Sequence, residues 1–353
     1  MKYLYKPAML VASLMVWLGG SSQVSFTNQG GMLQAIGGGS YEDCAVDMNS
    51  DNLDDVVRVT GNGVYIDYQN GDGTFTGVYY PVAFTNQPSW SIAAGDLTGN
   101  GFTDLLFGDG NAVSFVLASD DGTSFTEYAD PEYIFSQRTT LQDIDLDGNL
   151  DAFVCHDVDL SHPYRNDGNG IMTEDQTLIN TLPVGGNYAA IWCDYDYDGD
   201  SDLYLTKCRG GAPYGDERRT NLHYRNNGDG TFSEVGALTG LNDHNNSWAT
   251  VFEDFDNDGD FDVFTVNHST SDMPMPLGAT NKFMLNNGDG TFTDVTASTG
   301  INMTDLGAWN CDAGDFDNNG FMDIFSEMNE ELYLNNGDGT FSPNISPISF
   351  DSG

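Results

Sequence analysis

The sequence predicts an all-β chain, a β-propeller of four-stranded antiparallel blades, on three observations. A nine-residue acidic pattern recurs six times, a second Asn/Asp-Gly turn follows each copy, and short apolar runs lie between the two. The acidic copies are DMNSDNLDD from Asp47, DLTGNGFTD from Asp96, DIDLDGNLD from Asp143, DYDYDGDSD from Asp194, DFDNDGDFD from Asp254 and DFDNNGFMD from Asp315. Their starts lie 47 to 61 residues apart, which is room for one small sheet each.

The acidic or amide side chains fall at the first, third, fifth and ninth places of each copy. In order these are Asp47, Asn49, Asp51 and Asp55; Asp96, Thr98, Asn100 and Asp104; Asp143, Asp145, Asp147 and Asp151; Asp194, Asp196, Asp198 and Asp202; Asp254, Asp256, Asp258 and Asp262; Asp315, Asp317, Asn319 and Asp323. Calcium takes about six to eight hard oxygens, and carboxylates at alternate positions can wrap it while the side chains between them point away. The sixth place is Gly101, Gly148, Gly199, Gly259 or Gly320, with Asn52 in the first copy; these residue types enter a positive φ most easily. A helix-loop-helix site would need Glu at the twelfth place. That place holds Arg58, Phe107, Val154, Leu205, Thr265 and Ser326, and strand-like runs such as DLLFG and DVFTV follow the loops. Each loop is therefore expected between the first and second strands of a blade. One copy alone reads equally well as an Asp-Gly hairpin turn; six copies with both end aspartates retained favour calcium. The third to fifth loops, with four carboxylates each, should bind best, and the second, with Thr98 and Asn100, most weakly.

The second turns are QNGDGTF at Gln69, SDDGTSF at Ser119, RNDGNGI at Arg165, RNNGDGTF at Arg225, LNNGDGTF at Leu285 and LNNGDGTF at Leu334. Asn-Gly and Asp-Gly between apolar runs are strong hairpin signals, so one repeat supplies two hairpins and four strands. The second strands are apolar at nearly every residue, which implies cover on both faces, as when blades stack around an axis.

The first 22 residues read as a secretory leader: Lys2 and Lys6, an apolar run from about Pro7 to Leu18, then small residues. Residues 23–353 would form one propeller domain. No later apolar stretch reaches membrane length, which predicts an exported chain without a membrane span. With 54 acidic against 11 basic residues and a net charge of −43, self-repulsion opposes compaction unless cations neutralise it. Six ions at tenfold their dissociation constants would add roughly 8 kcal/mol to folding, so calcium is expected to be structural. The acidity also argues against nucleic acid as a partner. The cysteines, Cys44, Cys155, Cys193, Cys208 and Cys311, are odd in number and scattered. Cys193 with Cys208 or Cys155 is the bridge they offer, against the alternative of small residues buried in strands.

DxDxDGxxD followed by LyxNNGDGTF resembles the FG-GAP or VCBS repeats of integrin alpha-chain heads. The stretch YRNNGDGTFSEVGALTGLNDHNNSWATVFEDFDNDGDFDVF resembles more narrowly the cartilage acidic protein family and its bacterial relatives. Covering about residues 41 to 342, the resemblance implies a calcium-stabilised propeller, usually of seven blades, serving in adhesion or binding outside the cell, with no catalytic residues to carry over. Only six loops are present, and the carboxyl-terminal domain of the narrower relatives is missing. SFTN at Ser25 to Asn28 resembles a fourth strand, yet TFSP at Thr340 already supplies one to the sixth repeat. Either six blades close the ring or a seventh lies beyond Gly353, and the second reading is preferred.

A ligand face is expected opposite the calcium loops. Six residues before them stand Tyr41, Trp90, Gln137, Tyr188, Trp248 and Trp309, which either pack between blades or form an aromatic mouth suited to sugars or a protein loop. The longest connections, Thr206 to Asn221 and Val266 to Asn281, should border it. The first carries Lys207, Arg209, Arg218 and Arg219, with Arg225 close by; these either neutralise nearby aspartates or receive a carboxylate or sulfate. His156, Asp157 and His162 on one short connection are a weaker candidate for a transition metal. Nothing pairs a nucleophile with a base. The expectation is a non-enzymatic binding or adhesion module for an extracellular protein or glycan, with a lectin-like propeller and a polysaccharide-acting enzyme as alternatives.

Overall fold

A computed structural model describes residues 30–34, 43–268, 281–301, 309–326 and 331–344. The leader, Ser25 to Asn28 and Tyr41 lie outside these residues, as does most of the connection after Val266. Each acidic loop has ended one strand and begun the next, so the described strands fall into six four-stranded antiparallel sheets. Blade 1 contains β1 (Asp43–Val46), β2 (Asp55–Thr60), β3 (Gly63–Gln69) and β4 (Phe75–Pro81); blade 2 contains β5 (Ile92–Gly95), β6 (Asp104–Gly108), β7 (Val113–Ala118) and β8 (Phe125–Ala129). Blade 3 is β9 (Ser136–Gln142), β10 (Asp151–His156), β11 (His162–Asn166) and β12 (Met172–Glu174); blade 4 is β13 (Asn187–Cys193), β14 (Asp202–Lys207), β15 (Leu222–Asn226) and β16 (Phe232–Glu234). Blades 5 and 6 follow as β17 (Ser247–Glu253), β18 (Asp262–Asn267), β19 (Lys282–Asn286), β20 (Phe292–Asp294), and β21 (Cys311–Gly314), β22 (Asp323–Ser326), β23 (Glu331–Asn335), β24 (Phe341–Pro343).

Within each blade the strands pair in chain order, with the loop joining the first two. First strands of successive blades contact one another, β1 to β5, β5 to β9, β9 to β13, β13 to β17 and β17 to β21, and therefore form the inner layer. Among the described residues no comparable contact joins β21 back to β1. Second strands are buried at every residue in β6, β10, β14 and β18, polar ends included, as their largely apolar middles predict. Five apolar clusters fill the five spaces between neighbouring blades. Phe153 and Cys155 of blade 3 meet Leu203, Leu205 and Tyr224 of blade 4, and Phe264 and Phe283 of blade 5 meet Ile324 and Tyr333 of blade 6. Burial of this kind, about 25 cal/mol per Å² of apolar area, is what joins one blade to the next.

All five cysteines are free thiols, which corrects the expectation of a bridge from Cys193. Cys193 faces Asp202 at the loop end of the β13–β14 ladder, whereas Lys207, the neighbour of Cys208, faces Asn187 at the other end. The two thiols thus stand at opposite ends of one hairpin. No described helix is long and apolar enough to cross a membrane.

Candidate functional site

Every acidic loop is built by the same two carboxylates. The first aspartate accepts the backbone N–H groups of the fifth and sixth places: Asp143 from Asp147 at 3.0 Å and Gly148 at 2.9 Å, Asp254 from Asp258 at 3.1 Å and Gly259 at 3.0 Å. The same pair of bonds recurs at Asp47, Asp96, Asp194 and Asp315. The ninth aspartate is fully buried and ties the loop to the third strand. Asp202 accepts from Tyr195 N–H at 3.3 Å and Asn226 N–H at 2.7 Å, and Asp323 from Phe316 at 2.9 Å and Asn335 at 2.7 Å. Asp55, Asp104, Asp151 and Asp262 repeat it. Backbone that bonds in this way must turn twice. The sixth place has a positive φ in all six copies, as its Gly and Asn residues predict, and so has the fourth place, which the sequence did not flag: Ser50, Gly99, Leu146, Tyr197, Asn257 and Asn318 have φ between 57° and 69°. Leu and Tyr in the left-handed region are costly by themselves, and the repeated bonds to the first aspartate impose it.

Burial pushes the ninth-place carboxyls up, to about 6 at Asp104 and Asp151 and about 7 at Asp202 and Asp262, with neighbouring loop carboxylates adding to the rise. Such crowded carboxyls gain most from a cation. In loops 3 to 6 three ligand oxygens lie within 4.8 Å of one another: on Asp143, Asp145 and Asp151; Asp194, Asp196 and Asp202; Asp254, Asp256 and Asp258; and Asp315, Asp317 and Asp323. An all-oxygen anionic donor set of this kind fits calcium. Loops 1 and 2 make no such group among the described residues. In loop 2 the third and fifth places are Thr98, which donates to Asp96 at 3.3 Å, and Asn100, whose amide nitrogen donates to the Ala118 carbonyl at 3.1 Å, so this loop offers two carboxylates against three or four in loops 3 to 6.

On the opposite face the aromatic residues divide. Tyr188 and Trp248 sit at equivalent breaks in register, between Asn187 and Ala189 and between Ser247 and Ala249, where a bulge re-aims a side chain. Their rings lie 4.9 Å apart, Trp248 and Trp309 are 4.5 Å apart edge to face, and His268 packs on both indoles. Trp309 remains 46% exposed. This arc spans blades 4 to 6; it does not continue as a ring, because Trp90 leans on Phe135 and Gln137 bonds Asp157 at 3.2 Å. The basic residues are committed separately. Arg218 pairs with Asp216 at 2.7 Å, buried Arg219 donates to the carbonyls of Ala212 and His244, Arg209 reaches Asp157 at 3.5 Å, and buried Lys207 donates to Asn187 and Val184. Only Arg209 and its partner Asp157, close to Gln137 and Tyr188, extend the arc with polar groups. His156 and His162 lie 5.7 Å apart in a pocket with Glu174, but Asp157 turns away to Arg209 and Gln137, and His156 Nδ1 accepts the Val158 N–H at 3.3 Å. The three do not form a close ligand set.

Comparison with known families matches the model described as FG-GAP-like repeat to residues 47–107, 212–265 and 271–326. A search of curated proteins gives no match, and the narrower likeness to the cartilage acidic protein family gains no support. Among solved structures, an Agrocybe aegerita lectin described for specific recognition of non-reducing terminal N-acetylglucosamine aligns with a TM-score of 0.56 and 20% identity, over 85% of this chain and 78% of that one. A Lactobacillus plantarum protein aligns with a TM-score of 0.49 and 13% identity, over 88% and 83%. At 20% identity the likeness to the lectin is one of fold.

Proposed function

Since the chain is built of FG-GAP-like repeats on a propeller fold, we propose that it is an exported calcium-stabilised ligand-binding module, acting in adhesion or extracellular recognition without catalysis. The observation that carries this reading is a convergent group of three carboxylates in each of four successive blades, on the first, third and ninth places in blades 3, 4 and 6 and on the first, third and fifth in blade 5. Calcium bound there would neutralise the most concentrated part of the charge of −43, and the first, third, fifth and ninth places would hold it. Four ions at tenfold their dissociation constants stabilise the fold by roughly 6 kcal/mol, which for a domain of this size raises Tm by roughly 10 °C or more. A melt in excess EDTA that matches the melt in millimolar calcium sinks this reading.

Glycan binding is the second reading, and the exposed face of Trp309 beside Trp248 favours it, since sugar rings stack on indole. The lectin of similar fold adds support of the same kind. A glycan array probed with the calcium-loaded chain is expected to give a coherent set of ligands that Trp309→Ala abolishes. A folded protein that stays silent on the array favours a protein ligand, and release of shortened products from a bound polysaccharide would overturn the non-catalytic reading.

A further inference from the structure

The third strands of blades 3 to 6 end in YRN, YRN, MLN and YLN, so that Arg165 and Arg225 occupy the place of Leu285 and Leu334. The structure puts this place beside the calcium loop of the same blade. Arg165 forms an ion pair with Asp145, a third-place ligand, while its Nε donates to Asp175 at 2.9 Å. In blade 4, Arg225 and Asp196 line one cavity of about 430 Å³ closed by the turn Gly288–Gly290 of blade 5, and one Asp196 oxygen there is buried without a hydrogen bond. The equivalent cavity of blade 5, about 360 Å³, has Asp256 and Leu285 in the same roles, closed by the turn Gly337–Gly339 of blade 6. Loops 3, 4 and 5, with four carboxylates each, thus differ in one fixed positive charge, while loop 6 has Asn319 at its fifth place.

We propose that Arg165 and Arg225 are built-in counter-ions that divide the four-carboxylate loops into two affinity classes, loops 3 and 4 binding calcium more weakly than loop 5. A guanidinium next to the third-place carboxylate satisfies part of the charge that a cation would otherwise satisfy, so the metal-free loop is less strained and the incoming ion is repelled. Affinity in oxygen sites follows the net ligand charge, and a unit charge about 6 Å from a divalent ion changes its affinity roughly tenfold even at the dielectric of water. Carboxylate number alone would rank loops 3, 4 and 5 together; the arginines set loops 3 and 4 below loop 5.

The proposal rests on the calcium reading above and is tested by a calcium titration of the full mature chain by calorimetry, with thermal melts in EDTA alongside. The wild type is expected to bind in two phases. Arg225→Leu, an exposed position, and Arg165→Gln should each shift one weak site to roughly tenfold lower calcium, whereas Arg165→Lys, which keeps the charge, should not. Leu285→Arg should move one tight site into the weak class. In EDTA, Arg165→Gln should melt below wild type, with the gap closing at saturating calcium. A single-phase wild-type isotherm, or weak sites that stay put or weaken in the arginine variants, overturns the counter-ion role while leaving calcium binding intact. No calcium uptake by wild type or variant overturns the calcium reading itself.

Discussion

At the scale of single residues, the ninth-place aspartates serve as scaffold before they serve as ligands. Asp262 is 1% exposed and holds the N–H groups of Phe255 and Asn286 at 3.3 and 2.9 Å. Removing it strands two buried donors, each costing roughly 1–3 kcal/mol. Asp262→Ala is therefore expected to lose roughly 2–4 kcal/mol in EDTA, where no ion contributes, as read from urea unfolding. Asp258→Ala, an exposed carboxylate of the same loop, should lose little in EDTA and show its cost only with calcium. Equal losses in EDTA would mean that the ninth place has no separate structural role. The grouping of carboxylates in loops 3 to 6 was legible from their alternation. The left-handed fourth place was not, because Leu146 and Tyr197 give no sign of positive φ; a constraint imposed through the bonds to Asp143 and Asp194 leaves no residue preference to read.

The blade is the next scale, and there the Asn-Asn-Gly turn means more than a hairpin. The first Asn reaches across blades: Asn166 donates to the Leu97 carbonyl at 2.8 Å, Asn286 to Tyr195 at 3.4 Å and Asn335 to Phe255 at 2.7 Å. Each of those carbonyls belongs to the second place of a neighbouring acidic loop. Asn335 also donates to Met322 and accepts from Gly337 N–H, so one buried amide joins a turn, its own loop and the loop before it. Asn335→Ala should cost roughly 2–3 kcal/mol in the melt, by loss of buried hydrogen bonds. Asn336→Ala, one residue on and exposed, with side-chain bonds to the Thr340 and Ser342 hydroxyls at the surface, should cost under about 1 kcal/mol. Similar costs for the two would remove the inter-blade tie from the account. Turn chemistry showed where the hairpins are, and unbroken apolar runs showed that blades stack. The partner of Asn335 lies 80 residues away, and one sequence holds no signal at that range. The free cysteines make the same point from the other side: that Cys193 and Cys208 stand at opposite ends of a ladder is a matter of register, which their spacing does not encode.

For the whole molecule, buried titratable groups set how stability responds to pH, and a bound cation would change that response. The buried carboxyls of Asp202 and Asp262, raised to about 7, and of Asp104 and Asp151, raised to about 6, have folded pKa values above those of the unfolded chain. Between about pH 4 and 7 the folded metal-free chain therefore binds more protons than the unfolded one, and stability rises as pH falls through that window. His223 acts in the opposite sense. Burial lowers it to about 3, so below its unfolded value the unfolded chain takes up the proton and stability falls as pH drops. In EDTA the Tm is thus expected to climb from pH 8 toward pH 6, with several carboxyls outweighing His223 and His156, which burial also lowers, and to decline at lower pH as these imidazoles and the remaining acidic groups take over. In calcium the trend from pH 8 to 6 should reverse, because protons and ions compete for the same oxygens. The gain in Tm due to calcium should then be largest at pH 8 and shrink through pH 6, with His223→Gln, compared with wild type, flattening only the acid limb. A calcium-induced shift that is constant from pH 8 to 6 would mean that the ion does not engage the buried ninth-place carboxylates, and would confine it to the exposed oxygens of the first, third and fifth places.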